Sequence, residues 1–158
     1  MSNNSQKNFF HLALYQPDIP QNVGAAMRLA ACLGIRLDII EPCGFPWKPV
    51  EFKRSGMDYV NLVDLHKHSS WEKFQATYPG QRRILLTTKT TTPYFDFAFK
   101  EGDILLMGRE SAGVPEDVHE NVDVRLTIPM HGIARSMNVI NAASIVCGEA
   151  LRQYLKKQ

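Results

Sequence analysis

Ile104-Leu105-Leu106-Met107-Gly108-Arg109-Glu110-Ser111-Ala112-Gly113-Val114-Pro115 is the stretch on which the fold turns. Its first four residues are apolar without alternation, the pattern of a strand covered on both faces. The run ends in Gly108, where the missing Cβ lets a backbone come close to a ligand. Gly113 and Pro115 then shape a turn. By itself this is equally a plain strand-to-helix connection.

The same pattern spreads outward. Phe9–Tyr15, Leu37–Ile40, Val60–Leu65, Ile84–Thr88 and Val124–Ile128 read as further strands. Between Phe9–Tyr15 and Leu37–Ile40, Val23, Ala26, Met27 and Ala30 recur at helical spacing, with Asn22 as the N-cap and Gly34 as the stop. Pro42 to Pro49 is a loop and Val50–Gly56 a short helix. Ser70 caps a helix through Tyr78. Asn138–Leu155 is the longest helix, with Val139, Ala143, Val146 and Ala150 on one face. Strands and helices alternate, so the expected class is α/β, a mainly parallel sheet flanked by helices on both sides. Ligands of such sheets bind beyond the C-terminal strand ends, so the loops to inspect follow Tyr15, Thr88, Met107 and Ile128.

The chain of 158 residues suits one domain, with 1–7 as a polar tail. Apolar residues make up 44% and charged residues 22%, which excludes disordered and collagen-like classes. A formal net charge of +2 permits a nucleic-acid partner without arguing for one. Three cysteines without CxxC spacing suggest neither a disulfide framework nor a zinc site. The start lacks a secretion signal, and no stretch approaches the ~20 apolar residues of a membrane span. The expectation is a soluble, cytoplasmic protein without a membrane partner.

There is no GxGxxG after the first strand, no P-loop and no HExxH, and the five histidines show no ligand spacing, so no metal is expected. His11, His66, His68 and His119 read as surface or core residues. His131 lies in one of the unusual segments, near any substrate held there. Lys53-Arg54, Arg82-Arg83 and Arg152 with Lys156-Lys157 read as solvated faces, or as a phosphate track if a dimer aligns them.

Besides the opening stretch, two segments stand out. Pro17 to Gly24 leads from a strand into a helix carrying Arg28 among Ala25, Ala26, Met27, Leu29 and Ala30. That arginine is either solvated or held by a carboxylate, phosphate or carbonyl. Ile128-Pro129-Met130-His131-Gly132-Ile133-Ala134-Arg135-Ser136-Met137-Asn138 runs into the last helix. Ser136 or Asn138 can cap that helix, and its free N–H groups also suit a polar ligand.

In this order and spacing, the three segments resemble the signature motifs of the SPOUT methyltransferases, in the TrmH-like branch. Pro20-Gln21-Asn22-Val23-Gly24 with Arg28 looks like motif one, and Gly108 to Pro115 like motif two. Ile128-Pro129-Met130 followed by Arg135-Ser136-Met137-Asn138 and Asn141-Ala142 looks like motif three. The short chain resembles the minimal subfamily that methylates the tRNA wobble ribose. Ile40 to Phe45 and Leu85 to Lys89 are similar to stretches typical of that subfamily. Ala25, Ile140 and Gly148 depart from the pattern, none of them at a cofactor position.

The resemblance implies a deep trefoil knot near the C-terminus, a homodimer packed through the first and last helices, and tRNA as substrate. It implies S-adenosyl-L-methionine as methyl donor, leaving as S-adenosyl-L-homocysteine. Leu86, Thr87, Gly108, Glu110, Gly113, Ile128, Met130 and Ser136 match cofactor positions. Arg28, Ser136 and Asn138 match catalytic ones, and Asn22 with Arg28 would meet the RNA. A related enzyme acting on rRNA or another tRNA position is the alternative, as is a nonenzymatic RNA-binding dimer.

Overall fold

The computed structural model describes residues 9–48, 52, 62–134 and 136–158. The elements in order are β1 (Phe10–Tyr15), α1 (Pro20–Leu33), β2 (Arg36–Ile40), β3 (Asp64–His68), α2 (Trp71–Thr77) and β4 (Arg83–Leu86). After them come β5 (Asp103–Met107), α3 (Glu116–Asn121), β6 (Val124–Leu126) and α4 (Val139–Lys156). Among the described residues the strands form a six-stranded sheet in the order β3-β2-β1-β5-β4-β6. Every pairing between these strands is parallel.

The side-chain period of two explains why the central strands carry almost nothing polar. Leu12 and Leu14 of β1, with Leu105 and Met107 of β5, face a layer containing Val23 and Met27 of α1 and Ala143 and Val146 of α4. Ala13, Tyr15, Ile104 and Leu106 face the opposite layer, with Trp71 and Phe74 of α2 and Val118 of α3. Both faces are covered, as the unbroken apolar runs require. No helix among the described residues is long and apolar enough to cross a membrane.

Several boundaries differ from the sequence reading. β3 covers Asp64–His68 rather than Val60–Leu65, of which residues 60 and 61 lie outside the described residues. Its run Asp64-Leu65-His66-Lys67-His68 is polar because β3 is an edge strand beside β2 alone. β4 stops at Leu86 and β6 at Leu126, each short of the expected end. The short helix α3 follows the strand-to-helix turn at Pro115, but its six residues are too few for an amphipathic period to mark its extent. The expected helix Val50–Gly56 lies outside the described residues except for Phe52, as do the 1–7 tail and the Lys53-Arg54 pair.

Asn22 is not the N-cap of α1. The helix begins at Pro20, whose fixed φ and missing N–H suit a first turn, and Ile19 is the cap position. Gly34 ends it in the left-handed conformation at φ 68°. Ser70 caps α2 as expected, its Oγ accepting from Lys73 N at 3.1 Å.

Arg82 and Arg83 are not a solvated face. Arg82 Nη2 donates to Asp103 Oδ2 at 2.6 Å, and Arg83 donates to the carbonyls of Gln81 and Gln75. His11 and His68 are buried but not as filler. They lie 3.3 Å and 2.7 Å from the carboxylate of Asp38, which is fully buried and also accepts from the Tyr78 hydroxyl at 2.6 Å.

The chain after β6 takes an unusual route. Thr87 N donates to Leu126 O at 2.9 Å on one flank. On the other, Thr127 N donates to Thr92 O at 2.8 Å and Tyr94 N donates to Thr127 O at 2.9 Å. The segment thus passes between two parts of the β4–β5 connection before α4 returns to pack on α1, β1 and β5. Gln153 of α4 then bonds the far end of that connection, donating to Phe97 O and accepting from Phe99 N.

Candidate active site

The C-terminal ends of β1, β5, β4 and β6 open onto a cleft of about 660 Å³. Its walls bring together Leu86 and Thr87 after β4, Gly108, Glu110 and Gly113 after β5, and Ile128, Met130, Ser136 and Asn138 before α4. Asn22 of α1 completes one side. All the residues matched to cofactor positions therefore share one cavity. Arg28 does not line it; that side chain is exposed on α1. Arg135 lies outside the described residues.

The loop after β5 is a closed hairpin. Arg109 N donates to Gly113 O at 3.1 Å and Gly113 N donates back to Arg109 O at 2.9 Å. Gly113 has φ 65°, which glycine adopts without strain. A Cβ on Gly108 would lie 2.7 Å from the Cα of Gly113, so both glycines are needed for this turn.

Glu110 does not simply point at a ligand. Its Oε1 accepts from Asp18 N at 3.3 Å, and its Oε2 accepts from Ile19 N at 3.1 Å and from Asn22 Nδ2 at 3.2 Å. The carboxylate supplies the cap that Ile19 lacks, placing negative charge at the positive end of α1. Asn22 Oδ1 in turn accepts from Asn138 Nδ2 at 3.3 Å. Asn138 Oδ1 caps α4, accepting from Ile140 N at 2.9 Å and Asn141 N at 3.1 Å. One chain of side chains thus joins all three sequence segments.

Two further latches escaped the sequence reading. Arg109 donates to Gln16 Oε1 at 2.8 Å and to Gln16 O at 3.3 Å. Ser111 Oγ donates to Asp18 Oδ2. That bond, with help from Glu110 and the Arg109 charge, holds the Asp18 carboxyl below its ordinary range against the effect of burial. Lys89, His119, Met137 and Val139 also line the cleft without having been singled out. Lys89 and Met137 had a signal, their places in the Leu85 to Lys89 and Arg135 to Asn138 stretches.

The cavity suits a medium-sized ligand that is part apolar and part charged. Its volume falls within the ~300–1,000 Å³ of small-molecule sites. Leu86, Ile128 and Met130 offer apolar wall, whereas Thr87, Ser136 and the backbone at Gly108 offer hydrogen bonds. Cys147 does not contribute chemistry: burial pushes its thiol up to about 12.

A parallel sheet whose last segment passes between parts of an earlier connection, with three loops closing on one cleft, defines a class. The chain belongs to the SpoU rRNA methylase family, whose model matches residues 10–148. Among its relatives, the tRNA (cytidine(34)-2'-O)-methyltransferase of Beijerinckia indica is 56% identical over 144 residues, 90% of each chain. The Escherichia coli K12 protein of the same name is 38% identical over 145 residues, covering 90% of this chain and 92% of that one. A solved structure concerned with the 2-OH methylation of C/U34 on tRNA superposes with a TM-score of 0.89 at 41% identity, covering 93% and 97%. The SpoU methyltransferase AviRb from Streptomyces viridochromogenes, in complex with AdoMet, superposes with a TM-score of 0.84 at 25% identity. That match covers 94% of this chain and 59% of AviRb.

Proposed function

We propose that this protein transfers a methyl group from S-adenosyl-L-methionine to the ribose 2'-oxygen of nucleotide 34 of tRNA, a cytidine or uridine. It works in the cytoplasm as a homodimer, the whole chain forming one domain, without a metal. The single observation that carries the reading is the convergence of Leu86, Gly108, Ile128 and Ser136 on one cleft. The relatives named for position 34, and the AdoMet complex of AviRb, support the substrate and the donor.

When bound, S-adenosyl-L-methionine supplies an activated methyl group. Leu86, Thr87, Gly108, Ile128, Met130 and Ser136 hold it. Glu110 and Gly113 act one step back, by shaping the loop. The protein's main task is alignment, worth about 7–11 kcal/mol, against about 3–5 kcal/mol for general base help. Asn138 fixes the start of α4 and, through Asn22, the start of α1. Asn22 also contacts the RNA from the cleft edge.

A guanidinium presents N–H donors in a fixed fork and no acceptor, so Arg28 serves as an orienter. It orients the ribose and stabilises negative charge developing on the 2'-oxygen. Its exposure on α1, away from this chain's own cleft, fits a dimer in which each subunit's Arg28 serves the other's cleft. Ile145, 39% exposed on α4, and the half-buried Leu29 on α1 give that interface apolar surface. The route of Leu126–Thr127 between Thr87 and Thr92–Tyr94 supports a knotted backbone.

Arg28→Ala is the test. Calorimetry should show unchanged S-adenosyl-L-methionine binding, while methylation of tRNA falls at least a hundredfold. Wild-type turnover in that variant would refute the assignment. Mapping 2'-O-methyl sites after treating total RNA distinguishes position 34 from an rRNA target, which the family's description keeps in view.

A further inference from the structure

The Ile40 to Phe45 stretch, singled out in the sequence, has no part in the cleft. It leads from β2 into a shelf of aromatic rings. Phe45 and Trp47 are stacked at 17° with centroids 6.5 Å apart, and Trp47 leans on Phe52 at 4.6 Å. The Lys67 ammonium from β3 stands 4.2 Å from the centre of the Trp47 ring and 3.6 Å from Glu41. Phe52 is 1% exposed and anchors the group in the core. Phe45 and Trp47 are only half-buried, and Lys48 and Lys67 are exposed. Phe45 and Trp47 pack against the core from one side and leave part of their surface open.

The shelf is fastened to the active site. Gly44 N donates to Pro17 O at 2.9 Å. A Cβ on Gly44 would come within 2.6 Å of Asp18 Cβ, so the loop lies directly against the residue that latches Ser111. Cys43 stands between shelf and cleft. Burial, with Glu41 and Glu110, pushes its thiol up to about 11 against the opposing Lys67 charge. Shelf and cleft rim therefore adjoin at the C-terminal edge of the sheet.

We infer that Phe45 and Trp47, flanked by Lys48 and Lys67, form a stacking platform for an unpaired RNA base next to the nucleotide whose ribose is methylated. Aromatic faces beside cations are what single-stranded nucleic acid uses: the base takes the ring face over which Lys67 now stands, and the displaced ammonium, with that of Lys48, takes the backbone phosphates. Such stacking tolerates any base, and loop nucleotides present unstacked bases. This inference rests on the proposed function.

The test uses the full chain and an anticodon stem-loop RNA, normal or with an abasic ribose beside the methylated nucleotide. Trp47→Ala should raise KM for the normal RNA about tenfold, with kcat at saturating RNA and S-adenosyl-L-methionine binding unchanged. Trp47→Phe should keep most of the wild-type KM. The abasic RNA should bind wild type and Trp47→Ala equally weakly. Lys67→Ala should lower the slope of log affinity against log salt by about one. If Trp47→Ala fails to fold, Trp47→Phe and Lys67→Ala with the two RNAs decide. Wild-type methylation of the stem-loop with an unchanged KM in Trp47→Ala, or without any loss on the abasic RNA, overturns the platform alone. Failure of the wild type to methylate or bind any RNA overturns the functional reading and the platform with it.

Discussion

Asn22 and Glu110 lie 88 positions apart in the chain, yet the Asn22 side-chain amide donates to the Glu110 carboxylate at 3.2 Å. The same amide accepts from Asn138 at 3.3 Å. The cleft-lining loop after β5, the helix bearing Arg28 and the start of α4 are thereby one mechanical unit. Moving any of the three strains the others.

That coupling is measurable. Glu110→Gln should destabilise the fold by about 1–3 kcal/mol, because charge-assisted bonds to the backbone of Asp18 and Ile19 become neutral ones. A double-mutant cycle with Asn22→Ala should give an interaction energy of about 0.5–3 kcal/mol in urea unfolding. Strict additivity would show that the contact carries no energy.

Gly108→Ala places a methyl group 2.7 Å from Gly113 Cα, a backbone atom that cannot swing aside. The expected outcome is a displaced loop, with S-adenosyl-L-methionine affinity reduced at least tenfold by calorimetry. The parallel sheet should persist by circular dichroism.

Asp38 predicts a pH dependence. Burial alone would raise its carboxyl, but the His11, Tyr78 and His68 side chains hold it below the ordinary value. A carboxyl lowered in the folded state adds stability above its unfolded value of ~3.9, and that stability is lost as pH falls through the lowered folded value. Asp38→Asn should therefore cost about 3–5 kcal/mol near neutrality, with the gap from wild type narrowing only below about pH 4. Urea unfolding of both proteins across the acid range reads this directly. A gap that closes between neutrality and pH ~5 would show that protonation of the Asp38 carboxyl is not what sets the pH dependence.

Thiol chemistry should be uneven. Cys147 is buried with its thiol pushed up to about 12, Cys43 is half-buried and pushed up to about 11, and Cys32 is exposed. Limiting iodoacetamide at mildly alkaline pH should label Cys32 first, as read by peptide mass spectrometry. Methyl transfer should survive, because none of the three lines the cleft. Early labelling of Cys147 would mean that α4 opens far more readily than its packing suggests.

Read alone, the sequence determined the α/β class, the parallel sheet covered on both faces, and the segments that form the cleft. It could do so because burial on both faces leaves its mark residue by residue, as in Ile104–Met107, and because three segments resemble, in order and spacing, the motifs of a known family. It misjudged β3, where an edge strand carries no such mark, and took Asn22 for a cap because short polar residues favour that place. Only the tertiary structure decided what the polar side chains serve. Glu110 caps a helix 91 positions before it, Asp38 gathers His11, His68 and Tyr78, and Trp47 meets Lys67. A hydrogen bond or ion pair depends on distance in space, and nothing in the local pattern around a charged residue encodes which distant partner the fold will bring to it.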